Sequence, residues 1–212
     1  MSLKGSRGRT SSMSAPGSKT RIFEAADRLA RQGRRREAIA AFRDILADRS
    51  LLKRDPLACE LAHWGLAELL IMERDSLEAE KHLLIAIELN PSEANYYQQL
   101  GSLYCYLDRF EEAAQQFNKS LALRPDHPPT LHLLGWAVFM AGDLPNGRKI
   151  MEQALGLDDC DASILNDLAV CLVELKQYDK ALKYLERAQE LDPKNQLLSS
   201  YRQMIIEKRT SQ

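Results

Sequence analysis

The chain of 212 residues is 45% hydrophobic and 28% charged, which supplies a continuous packed core and excludes disorder along the whole length. Its net charge of −1 conceals an asymmetry: residues 1–54 hold 14 Lys and Arg against 5 Asp and Glu, and residues 55–212 hold 15 against 25. The acidic body is therefore a poor match for nucleic acid, while the basic end suits acidic surfaces.

Residues 1–18 are rich in Ser, Gly and Arg and carry no acid, so they read as a disordered basic tail without the apolar stretch of a secretory signal. Residues 19–52 form a helical hairpin unit, marked by Ala25-Ala26, Leu29, Gly33, Ala38 and Phe42. Lys53 to Cys59 follow, with a break at Asp55-Pro56, and predict a longer connection or a helix extension. No apolar run approaches the roughly 20 residues of a membrane span. Cys59, Cys105, Cys160 and Cys171 show no C-x-x-C pairing, so a reduced, cytoplasmic setting is expected.

From residue 60 the chain repeats. Leu89-Asn90-Pro91 recurs as Leu123-Arg124-Pro125 and as Leu191-Asp192-Pro193, at separations of 34 and twice 34, with Leu157-Asp158-Asp159 in the missing place. This divides the sequence into units at 60–93, 94–127, 128–161 and 162–195. Leu66-Ala67, Leu100-Gly101, Leu134-Gly135 and Leu168-Ala169 recur in the first half of each unit. In the second half, small Ala79, Ala113, Gly147 and Ala181 are followed four residues later by Leu83, Phe117, Met151 and Leu185. Two helices joined by a short turn approach closely only where small side chains sit at the crossing, with large ones filling the holes beside it. Each half runs about 13 residues at apolar 3–4 spacing, and breaks at Asp108-Arg109, Gly142-Asp143 and Lys176-Gln177 separate the halves. Residues 196–212 add one more helix, whose Leu198, Tyr201, Ile205 and Ile206 suit it to cover the open end of the stack.

These in-phase columns resemble the tetratricopeptide repeat family over about nine-tenths of the chain. The resemblance implies an all-α, right-handed α-solenoid of helix-turn-helix hairpins, five units with a C-terminal capping helix, whose first helices line a concave groove. The groove positions would be Trp64, Glu68, Ile71 and Met72 in the second unit, and Gln98, Ser102 and Tyr106 in the third. His132, Trp136, Phe139 and Met140 follow in the fourth, then Asn166, Val170 and Glu174 in the fifth. The aromatic and Met members are surplus to packing within a repeat, and such residues suit an apolar or amphipathic peptide. Cys105 and Val173 are expected to be structural. Some members of the family grip a C-terminal carboxylate with Lys, Arg and Asn from successive first helices. Here Phe23, Asp27, Trp64, Glu68, Gln98, Ser102, His132 and Trp136 hold those places, and no basic clamp exists.

Arg31, Arg34, Arg35 and Arg36 form a second, basic surface at the turn of the first hairpin, without interleaved aromatics for base stacking. His63, His82, His127 and His132 have no metal-ligand spacing, and no phosphate loop or H-E-x-x-H motif occurs. The sequence thus predicts a non-enzymatic scaffold without cofactor or metal that holds a partner protein or peptide. One alternative is a bacterial-type secretion or assembly chaperone shielding an apolar client. Another is an adaptor to nucleic acid or an acidic surface through the basic end. Self-association is left open.

Overall fold

The computed structural model describes residues 20–210, so the basic tail read at 1–18 lies outside the described residues. Every element among those residues is helical. The chain divides into two compact units, one reaching to Leu69 and the other starting at Leu70.

The first unit holds α1 (Thr20–Arg31), α2 (Arg35–Ala47), α3 (Arg49–Arg54) and most of α4 (Pro56–Met72). Gly33, at φ 75°, lets α1 turn into α2. Phe42 of α2 fills the space beside Gly65 of α4, where a Cβ would lie 2.7 Å from the ring, and stacks at a tilt 5.7 Å from Phe23. The segment 53–59 is split between two helices. Asp48 caps α3 by accepting from the amides of Ser50 and Leu51. The buried Asp55 breaks the chain and accepts from the amide of Ala58. Pro56 then starts α4 four residues ahead of the repeat boundary at 60, in the place where its missing N–H costs nothing.

The second unit continues with α5 (Ser76–Leu89), α6 (Ala94–Tyr106), α7 (Phe110–Leu123), α8 (Pro128–Met140), α9 (Leu144–Leu157), α10 (Ala162–Glu174), α11 (Tyr178–Leu191) and α12 (Gln196–Thr210). Each helix packs mainly on its neighbours in sequence, and the small-residue columns sit at the crossings. A methyl at Gly101 of α6 would meet the Phe117 ring of α7 at 2.7 Å. At the α8–α9 crossing two glycines face each other. A Cβ on Gly135 would lie 2.9 Å from the Gly147 carbonyl oxygen, and one on Gly147 would lie 2.6 Å from the Phe139 backbone nitrogen. The fourth unit's departure from Ala at 147 is thus what permits its two helices to touch backbone to backbone.

The turn after each first helix repeats one geometry. Arg74, Asp108, Gly142 and Lys176, spaced 34 apart, all have φ between 57° and 100°. In each case that residue's amide bonds a carbonyl three back and the next amide bonds a carbonyl five back, as in Gly142 N to Phe139 O and Asp143 N to Val138 O. This left-handed cap satisfies carbonyls that the helix end would otherwise orphan. Beside one of these turns, Arg109 sits 4.1 Å over the Tyr104 ring and reaches Glu80 of α5, which also accepts from the Tyr104 hydroxyl at 2.8 Å. Burial and that carboxylate push the Tyr104 hydroxyl up to about 12, so it stays a donor.

The last core cluster joins Leu165, Leu168 and Leu172 of α10 and Leu185 of α11 with Leu198 and Ile205 of α12. The C-terminal helix therefore covers the apolar end of the stack.

Candidate functional site

The side chains on the first helices of the second unit sort into three groups. Polar members brace neighbouring first helices. Thr130 Oγ1 of α8 donates to Gln98 Oε1 of α6 at 2.8 Å, and His132 Nε2 of α8 lies 2.8 Å from Asp167 Oδ2 of α10. Asn166 Nδ2 donates to the other oxygen of Asp167. Gln98, His132 and Asn166, expected to face a ligand, thus have much of their bonding capacity taken up inside the fold. Ser102 is exposed, and its hydroxyl bonds back to the Gln98 carbonyl.

A second group is buried, and here one expectation is corrected. Phe139 is 7% exposed and belongs to the core cluster with Met151 and Leu165, so it is needed for packing and presents no ligand surface. Its column in the next unit, Val173, is buried as well, and Cys105 in the unit before is half-buried, its thiol pushed up to about 11 by burial. This edge of the first helix is covered by neighbouring helices.

The third group is open. Met72, Tyr106 and Met140 recur at 34-residue spacing and are 59%, 58% and 41% exposed, with the exposed Glu174 in the next place. Trp136 and Val170 are half-buried against the core cluster, the indole 5.5 Å from the Phe139 ring. Ile71 is also half-buried, as are Trp64 and Glu68 on α4 in the first unit.

Beyond α10 this face runs into a cavity of about 420 Å³ between α10 and α12, lined by Asn166, Val170, Leu197, Ser200, Tyr201 and Met204. Leu197 is 78% exposed at its rim. The four α12 residues are absent from the sequence-based site, although the period marks three of them: Leu197, Ser200 and Met204 stand 34 residues after Ser163, Asn166 and Val170. α12 occupies the place of a further first helix.

In the basic surface, Arg31 bonds Asp27 at 2.8 Å and Arg34 bonds Glu37 through Nε at 2.8 Å. The Arg34 guanidinium holds the Glu37 carboxyl below its ordinary range. Arg35 and Arg36 are exposed.

Among the described residues no group of three His, Cys, Asp or Glu gathers to hold a metal, and no helix is long and apolar enough to cross a membrane.

Models of the tetratricopeptide repeat match residues 23–94, 94–127 and 162–195. The chain belongs to the tetratricopeptide repeat family, whose repeats mediate protein–protein interactions. It is 25% identical over 131 residues to the tetratricopeptide repeat-containing protein trd-1 of Caenorhabditis elegans, a match covering 62% of this chain and 17% of that one. It is 31% identical over 114 residues to the human protein O-mannosyl-transferase TMTC3, covering 53% and 12%. The chain thus spans under a fifth of either relative. Among solved structures, MamA from Desulfovibrio magneticus RS-1 superposes with a TM-score of 0.72 at 18% identity, covering 85% of this chain and 99% of that one. YrrB, described as a tetratricopeptide repeat protein with an unusual peptide-binding site, gives 0.69 at 16%, covering 86% and 90%. At these identities the likeness is one of fold.

Proposed function

We propose that the chain is an interaction scaffold that holds a partner segment bearing apolar side chains against the first-helix face of its second unit. The segment runs past Tyr106, Met140, Trp136 and Val170 and seats a side chain between α10 and α12. The observation that carries this reading is the continuity of exposed or half-exposed apolar groups, two of them on the adaptable Met side chain, from α6 to the cavity beside Tyr201 and Met204. Gln98, His132 and Asn166 on the same face are bonded within the fold. A ligand therefore gains mainly by covering apolar surface, at roughly 25 cal/mol per Å². YrrB supports the reading as a protein of the same fold with a peptide site. The transferase name of one relative stays with that relative, since the match covers 12% of it.

The test is a binding screen of the purified chain against an array of 12-residue peptides graded in apolar content. Its comparison is a quadruple variant, Tyr106→Ser, Met140→Ser, Val170→Ser and Met204→Ser, which spares the buried Phe139. Apolar and amphipathic peptides should bind the parent, and the variant should lose about tenfold or more in affinity with unchanged helical circular dichroism. Equal binding by both proteins would refute the proposal.

A further inference from the structure

A different chemistry lies on the second-helix side of the last hairpins. Lys180, Lys183, Tyr184 and Arg187 fall at helical spacing along one face of α11. With Arg148 and Glu152 of α9 and Leu172 of α10 they line a cavity of about 450 Å³. Four cations meet one carboxylate there, within a stretch of chain, 55–212, that carries ten more acids than bases.

The pairing inside the cavity leaves positive charge over. Glu152 is taken by Arg148 at 2.7 Å, and Arg187 is engaged by the carbonyl and the carboxylate of Asp159 at 2.7 and 3.1 Å. Lys180 donates to the side-chain oxygen of Gln177 and makes no ion pair among the described residues. Lys183 makes no ion pair among the described residues. The Nε–H of Arg148 is buried without an acceptor, a costly state for a donor. Burial and Glu152 raise the Tyr184 hydroxyl, which remains a neutral donor. Leu172, fully buried, closes the floor of the cavity.

Two ammonium groups without an ion pair among the described residues, a hydroxyl donor and a guanidinium with an unused N–H ask for a compact anion with several acceptors and more than one charge. A carboxylate, with one charge and two oxygens, leaves part of this set unmatched. A phosphate monoester has three terminal oxygens and nearly two negative charges. Glu152 and Asp159, on the wall and beside it, interrupt any track for a nucleic-acid backbone. We propose that the cavity between α9, α10 and α11 binds a phosphate monoester, with Lys180, Lys183 and the Tyr184 hydroxyl as its ligands and Arg148 turning from Glu152 toward it. A phosphorylated side chain of a partner and free phosphate both offer this group, and the site stands independently of the first-helix face.

The test is an amide-resolved NMR titration of the full chain at constant ionic strength, with inorganic phosphate in one arm and a five-residue phosphoserine peptide in the other. Saturating shifts are expected at Leu172, Lys183 and Tyr184, with a dissociation constant on the order of millimolar for inorganic phosphate. The double variant Lys180→Gln, Lys183→Gln should weaken binding about tenfold, and Lys149→Gln, Lys194→Gln, which removes the same charge outside the cavity, should change it less than about twofold. Tighter binding of the peptide identifies a partner's phosphorylated side chain as the ligand, and equal binding identifies the free anion. Shifts that do not saturate, or equal weakening by both double variants, would overturn the assignment.

Discussion

His127 closes the turn between α7 and α8, and its ring starts a short chain of polar contacts. Nδ1 lies 2.8 Å from Thr130 Oγ1, which donates onward to Gln98 of the preceding first helix. Burial, followed by the charge of Arg124, lowers the pKa of this histidine below its ordinary value of 6.5. The unfolded chain therefore binds this proton more readily than the folded one. The stability at stake is fully present above about 6.5 and is lost as pH falls through that value toward the lower folded pKa. Urea unfolding at a series of pH values from 7.5 to 5 should show a decline that flattens in His127→Gln, and a variant with the parent's slope would contradict this account. Residue-level exposure is also where the sequence pattern misplaces one residue, Phe139. Phe139 and Met140 are adjacent, about 100° apart around α8, and both fall within an apolar stripe of that width. Spacing alone assigns both to the open face. The neighbouring helices cover Phe139 and leave Met140 out, and that difference is set by crossing geometry, which the one-dimensional pattern does not carry.

At the level of helices and turns, the hairpins after residue 60 were legible because small and large residues recur in phase, and the crossings put them where that pattern asks: Gly101 on Phe117, Gly135 on Met151. The repeated left-handed turn was not legible. Of Arg74, Asp108, Gly142 and Lys176 only one is glycine, so residue type hides a backbone requirement that all four meet. A lysine held at φ 57° carries strain of about 1–2 kcal/mol, partly offset because glycine gives the unfolded chain more freedom to lose. Lys176→Gly should therefore raise stability by roughly 0.5–1 kcal/mol, and Gly142→Ala should lower it by about 1 kcal/mol. Chemical denaturation of the two variants checks both signs. The entry to α4 was only half legible: Asp55-Pro56 marks a break, but only the buried Asp55, bonded to the Ala58 amide, shows that the break is also a helix start.

Across the second unit, stability is expected to be a sum of local terms, because helices contact chiefly their sequence neighbours. The sequence suggested α12 as a cover for the open end of the core, and Leu198 and Ile205, 5% and 0% exposed, play that part. Its opposite side was overlooked, because a capping role accounts for the apolar residues before the period is carried one step further to Leu197, Ser200 and Met204. The two sides separate experimentally. Deleting residues 196–212 takes Leu198 and Ile205 out of the cluster that holds Leu165, Leu168 and Leu185, two buried aliphatic side chains worth roughly 1.5–3 kcal/mol each. Hydrogen exchange should then lose protection first in α10 and α11, while α6 and α7 keep theirs, since no described core cluster links Leu198 or Ile205 to them. Met204→Ser, at the cavity wall, should weaken apolar peptide binding while leaving exchange in α10 and α11 close to that of the parent. If the deletion destabilised α6 as much as α10, the unit would be cooperative over its whole length and the nearest-neighbour account would be wrong.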